Sequence, residues 1–438
     1  MKKVILLLLA VALVLSACGG AAPSGNSGGQ SQAGSSGGDG KDQVNLRVAW
    51  WGGQARHDYT LKVIELYQKK HPNVKITPEY ASFDEYWKKL APQAAANDLP
   101  DVISMDISYL AQYAGRGQLE ELDPLIQKGL FDKSSINQTT LDGGKYNGKQ
   151  YAITLGVNAL ATTLDVDALK KAGIDAPSKD WTFDDLLKMA PKLKAANKLL
   201  TMDFKPEVFF SYYLRTVGQH LYSNDGAALG YTDDKYFVDY FKMYQGLYDA
   251  GLLAKLDKVA TNKRTPEEDL AATGEAVSTF AWSNQFALIS QVAKRNLEIH
   301  PMPGPGAKQG LFMKPSMYFT IAKNSKQKEE AMKFIDFWTN DVEANQIIKG
   351  ERGIPISSKI KDSLKPTLDA TQTKVFDYIT WAEQNSSPLD PPEPVGAAEI
   401  TKLINDLNEQ ILYKKTTPED AAAKFRKDAS AILAKNKK

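Results

Sequence analysis

The sequence predicts an α/β protein of two lobes with a hinge between them and a ligand cleft at their interface, and three observations carry that prediction. A strand–helix–strand order opens the folded part of the chain, with strands at residues 44–50 and 74–80 and a helix from about His57 between them, and such βαβ units build right-handed crossovers in sheets flanked by helices. The 438 residues exceed the size at which a single hydrophobic core stops growing, so two domains of ordinary size are expected. Two later extended apolar runs, within 151–163 and at 315–321, pass from one helical neighbourhood to the next without a flexible linker, and lobes joined by strands can hinge.

Ahead of that body lies an export signal. Met1-Lys2-Lys3 is a positive start, and the apolar run at 4–15 is too short to span a bilayer. It ends in Leu15-Ser16-Ala17-Cys18, the pattern of a bacterial lipobox, so residues 1–17 read as a lipoprotein signal peptide and Cys18 as the lipidated residue. The plainer alternative is an ordinary signal with a chance cysteine. Cys18 is the only cysteine, which excludes a disulfide. Residues 18–43 are dominated by Gly, Ser, Ala and Gln, a flexible tether. About 25 such residues reach roughly 25–30 Å root-mean-square. Without Lys2 and Lys3, the 54 basic residues become 52 against 52 acidic ones, and no net field favours nucleic acid.

Along the first lobe, Leu61, Ile64 and Tyr67 recur at helical spacing until His71-Pro72-Asn73 stops the helix. A second helix is expected from about Phe83 to Ala96, then a buried strand at Pro100-Asp101-Val102-Ile103-Ser104-Met105-Asp106 and a short helix opened by Tyr109, Leu110 and Tyr113. Tyr146-Asn147-Gly148-Lys149 turns into the strand that begins at Tyr151 and continues past Asn158 towards Thr163. Helices follow at 166–172, after Trp181-Thr182, around 209–214 and 236–248, and near the end at 400–412 and 418–434.

The candidate site starts at residues 46–57, where the first strand ends in Trp50-Trp51, breaks at Gly52 and Gly53, and is followed by Gln54, Arg56 and His57. Ligands of open α/β sheets bind beyond strand ends of this kind. Successive strand residues face opposite ways, so one of the two tryptophans belongs to the core, and Trp51 is taken as the ligand-facing one. Gln54 and Arg56 also fit a solvated loop, and Asp106 also fits a simple helix cap. Trp181 fits a hydrophobic staple beside Thr182, and Trp87 and Trp338 sit on apolar helix faces as core.

Taken in order, the lipobox, the tether, Trp50-Trp51, Pro100-Asp101-Val102, Tyr146-Asn147-Gly148-Lys149, Trp181-Thr182-Phe183-Asp184-Asp185-Leu186, Gly274-Glu275-Ala276-Val277 and Gly353-Ile354-Pro355 resemble a family 1 extracellular solute-binding protein of a carbohydrate ABC importer. The resemblance runs from Val44 to the last helix. It implies a periplasmic-binding-protein-like fold, with 44–155 and 319–369 in lobe 1 and 156–318 and 370–438 in lobe 2. It also implies sugar contacts at Trp51, Gln54, Arg56, His57, Asp106, Ser108, Tyr109 and the hinge residue Asn158, and on the second lobe at Phe209, Tyr212, Trp282 and Asn284. The implied partners are an oligosaccharide and the permease subunits of an ABC importer. No cofactor is implied, the chain acts as a monomer, and its only membrane contact is a lipid on the outer face of the bacterial cytoplasmic membrane.

The physical case stands beside the resemblance. A pyranose offers C–H faces that pack on aromatic rings and hydroxyls that need partners in place of lost water. Catalytic and metal chemistry is thinly supported: the four histidines, at 57, 71, 220 and 300, have no ligand spacing. Gly25-Asn26-Ser27-Gly28-Gly29 matches a nucleophile-elbow pattern but lies in the tether, without the strand and helix it needs. Two alternatives stay open from the residues: a cell-surface enzyme acting on glycosides, and a binding protein for a peptide or polyamine.

Overall fold

The first strand, β1 (Val44–Trp51), is built of β-branched, aliphatic and aromatic residues and stops at Gly52-Gly53. The helix α1 (Gln54–Lys70) begins at Gln54 rather than near His57, because its first turn is polar and carries no apolar period. β2 (Val74–Ala81) then pairs in parallel with β1, Val44 opposite Val74 and Trp51 opposite Ala81. α2 (Phe83–Ala95) leads to β3 (Val102–Met105), which pairs in parallel with the other side of β1, and then to α3 (Ile107–Gly115). A short hairpin, β4 (Lys145–Tyr146) and β5 (Lys149–Gln150), turns the chain into β6 (Ala152–Asn158). Only Ala159 separates β6 from β7 (Leu160–Leu164), which belongs to a different sheet together with β8 (Ser278–Trp282) and β9 (Glu298–His300). β10 (Lys314–Ile321) returns to the first sheet.

This computed structural model describes residues 43–436; the expected signal peptide, Cys18 and all of the tether but its last residue lie outside the described residues. The architecture is two-lobed α/β. One sheet runs β2-β1-β3-β10-β6, with β10 antiparallel to both neighbours, and the other runs β8-β7-β9, antiparallel throughout. Helices flank both. With the second sheet lie Pro206–Thr216, Lys235–Asp249, Ala397–Leu412 and Pro418–Leu433, whose core includes Phe210, Phe237, Phe241 and Phe425. Phe237 meets Phe241 at 4.2 Å and Phe425 at 5.2 Å between ring centroids. Among the described residues no helix is long and apolar enough to cross a membrane.

Local signals act as the chemistry dictates. Thr182 and Asp185 form a reciprocal capping box, and buried Trp181 donates from Nε1 to the Pro301 carbonyl at 3.0 Å. Trp87 and Trp338 are buried. The topology also brings several strand ends together. β1, β3 and β6 point the same way and β10 the opposite way, so the ends of the first three and the start of the fourth share one edge of the sheet, where α/β sheets bind ligands.

Candidate ligand-binding cleft

At that edge lies a cavity of about 750 Å³, against about 240 Å³ for the pocket beside it. From the first sheet it takes Arg56 in the opening turn of α1, Asp106 and Ser108 at the start of α3, Asn158 at the end of β6, and Lys314 and Ser316 at the start of β10. From the second it takes Trp282 at the end of β8, Asn284 in the turn beyond and Gln285 at the start of the helix Gln285–Ala293. The two sets meet at the crossing strands. Lys314 lies opposite Asn158, and Leu160 opposite Trp282. Ala159 is stitched to the β8 turn: its carbonyl accepts from Ser283 N at 2.8 Å, and its N–H donates to Ser283 Oγ at 3.2 Å.

A third wall is the loop at 349–354, placed by charge and by close backbone contact. Arg56 donates through Nε and Nη2 to the two Glu351 carboxylate oxygens at 3.1 Å each, and Tyr59 donates to the same carboxylate at 2.5 Å. Burial works against the Arg56 charge, but the Glu351 pair outweighs it and holds the guanidinium above its ordinary pKa. Arg352, only 1% exposed, donates to Tyr59 Oη at 2.9 Å and Thr60 Oγ1 at 3.0 Å and stacks over Trp338 at 4.5 Å. Burial lowers its pKa. Gly353 adopts φ +94°, a left-handed conformation suited to glycine. Ser316 Oγ donates to the Gly156 carbonyl at 2.9 Å and also contacts the Arg352 carbonyl.

Of the residues the sequence points to, the structure brings Arg56, Asp106, Ser108, Asn158, Trp282 and Asn284 to this one cavity. Asp106 is also the cap of α3, accepting from Ser108 N at 2.9 Å, so the two readings of it coexist. Trp51 is placed elsewhere. It is 7% exposed, in a cluster with Phe83, Tyr86 and Trp87 at centroid distances of 5.4–5.7 Å. Alternation along β1 implied one open face, but β1 is an interior strand, and α2 and the helix Lys328–Asn340 both pack against it, so Trp50 and Trp51 are both buried. His57 is buried too: its Nδ1 accepts from Trp50 Nε1 at 3.1 Å, and burial lowers its pKa.

Gln54 is exposed and donates to Asp58 at 2.7 Å. Tyr109 stacks on Trp87 at 3.8 Å. Tyr212 is a core residue, 1% exposed. Phe209 lines the adjoining pocket, which shares Trp282 and Gln285 with the cavity, so Trp282 stands as the wall between two spaces. Sequence reasoning missed Gln285, Lys314, Glu351 and Arg352. Lys314 immediately precedes the extended run at 315–321, and Glu351 and Arg352 immediately precede Gly353-Ile354-Pro355; both stretches had been singled out, so their flanks were the available signal.

Two α/β lobes whose crossing strands frame a large cleft, walled by an indole, amides and paired charges, define a solute-binding protein. The chain belongs to the bacterial extracellular solute-binding protein family, whose model matches residues 26–345. It is 24% identical over 410 residues to a putative binding protein of Brucella abortus, covering 90% of this chain and 94% of that one. Among solved structures it is similar to a family 1 extracellular solute-binding protein from Alicyclobacillus acidocaldarius, with 28% identity and a TM-score of 0.80 over 90% of this chain and 100% of that one. It is also similar to a periplasmic oligogalacturonide binding protein from Yersinia enterocolitica, with 26% identity, a TM-score of 0.77 and the same two coverages.

Proposed function

We propose that this protein captures an oligosaccharide outside the cell, in the cleft walled by Trp282, and hands it to the permease of an ABC importer. The observation that carries the reading is the composition of the cavity of about 750 Å³: aromatic rings at Trp282 and Phe376, with Asn158, Asn284, Gln285, Asp106 and Arg56 around them. That set matches a sugar's apolar C–H face and its ring of hydroxyls. Stacking is worth on the order of 1 kcal/mol beyond area burial. Hydrogen bonds to charged groups are worth about 1.5–3 kcal/mol each. The Yersinia relative, named for binding an oligogalacturonide, supports a sugar cargo.

In this reading the chain is a carrier and not an enzyme, and it acts as a monomer. The expected bounds, 44–155 and 319–369 for lobe 1 and 156–318 and 370–438 for lobe 2, cut through β6 and β10, which each pair along their length in the first sheet; in this reading lobe 1 therefore runs to Asn158 and resumes at Lys314, and the lobes close on the ligand about the crossing strands. A lipid on Cys18 holds the body to the outer face of the membrane, and Cys18→Ser releases it into the medium. The direct test is calorimetry of a soluble form starting at Val44 against a panel of oligosaccharides, peptides and polyamines. Micromolar heats with a sugar and a raised unfolding midpoint are expected; a response to peptides or polyamines alone refutes the proposal.

A further inference from the structure

We infer that the cleft is built for an anionic oligosaccharide, whose acidic group pairs with Lys314 while a sugar face takes the lysine's place on Trp282. The inference rests on the sugar reading above and deepens it. The chain as a whole is close to neutral, with 54 basic and 52 acidic residues. The cavity is not: its lining carries four cationic side chains, Arg56, Lys314, Lys349 and Arg352, and two acidic ones, Asp106 and Glu351.

Pairing does not remove that surplus. Glu351 is taken up by Arg56 and Tyr59, and Arg352 is held by neutral hydroxyls. Among the described residues, neither Lys314 nor Lys349 has a carboxylate within ion-pair distance. The Lys314 ammonium instead stands 4.6 Å over the Trp282 ring, on a half-buried stem at the start of β10, opposite Asn158. It therefore covers the one indole face that a sugar in this cavity would use.

A stacking sugar must displace the ammonium. A neutral sugar ends the cation–π contact and returns only hydroxyl hydrogen bonds, with no opposite charge, to the displaced ammonium. A sugar carrying an anion compensates, because the lysine swings from the ring to that anion in a partly desolvated cleft, where a charged hydrogen bond is strong. The same two side chains then select both a flat sugar face and a negative charge next to it. Lys349, at the far wall, adds a second attractive cation for a longer acidic chain.

Calorimetry with trigalacturonate, its methyl ester and a sulfated galacto-oligosaccharide tests this. The acid is expected to bind at least tenfold more tightly than the ester, with an affinity that falls as salt is raised while the ester's does not. Lys314→Met, which keeps the stem and removes the charge, closes that gap, and Lys314→Arg keeps it; unchanged unfolding midpoints show that both variants fold. Tight binding of the acid alone makes the ligand a uronate, and equal binding of the sulfated sugar makes the requirement any anion. Equal affinity for acid and ester, tight binding of neutral sugars only, or a gap that survives Lys314→Met overturns the inference and leaves the sugar reading standing. Failure of every acidic and neutral sugar overturns both.

Discussion

Replacing Trp282 by alanine separates a ligand platform from a core residue, and its size can be worked from the structure. One indole face laid against a pyranose removes roughly 60–80 Å² of apolar surface from water, worth about 1.5–2 kcal/mol. The ring geometry adds about 1 kcal/mol. Against this, a ligand must dislodge Lys314 Nζ from its place 4.6 Å above the ring, which costs about 0.5–1 kcal/mol at a partly exposed site. Trp282→Ala therefore loses a net of about 2 kcal/mol of binding, roughly thirtyfold in Kd. The fold should tolerate the change, because Trp282 is half-buried at a strand end and meets Phe312 edge-on at 5.8 Å. Calorimetry against the best oligosaccharide, paired with thermal unfolding of the free protein, measures both quantities. A Kd within threefold of the unmodified protein, with the unfolding midpoint unchanged, refutes Trp282 as the platform.

Trp51→Ala is expected to behave in the opposite way: it empties a buried aromatic site, costs about 3–5 kcal/mol of stability, and shows in the denaturation midpoint before it shows in Kd. Gly156→Ala puts a methyl group 2.7 Å from the Gly353 carbonyl carbon and against the Arg352 carbonyl. It should cost about 1–3 kcal/mol by overpacking and weaken binding by displacing the loop at 349–354, whereas Gly53→Ala meets nothing within 4 Å and serves as the control. Burial lowers the pKa of His57 from 6.5, so the unfolded state holds more protons there and the contribution to stability is full above about pH 6.5 and lost as pH falls below it. His57→Gln keeps an acceptor for Trp50 without the titration, so denaturation midpoints of the two proteins should diverge less at pH 7.5 than at pH 5.5 once the constant offset is removed; parallel curves contradict the assignment.

Much of the chain is legible without coordinates, for local reasons. The β-branched and aromatic run of β1, the glycine pair that ends it, the apolar period of α1 and the proline after it mark a βαβ unit whose handedness and edge follow from chain chirality. The Thr182–Asp185 capping box is likewise written in four consecutive residues. In each case the partners are neighbours in sequence, so the signal survives without the fold.

The α/β class thus follows from the sequence, which also points to Arg56, Asp106, Ser108, Asn158, Trp282 and Asn284, the residues that meet at the cavity. Only the tertiary structure decided which groups meet. Period 2 shows that Trp50 and Trp51 face apart but not what covers each face, and helices cover both. Arg56 and Glu351 are 295 residues apart, and Lys314 reaches Trp282 only because β10 pairs with β6 beside the crossing into β7. No local propensity encodes such contacts, since each depends on sheet order and on burial, which the chain acquires only when its distant parts pack together.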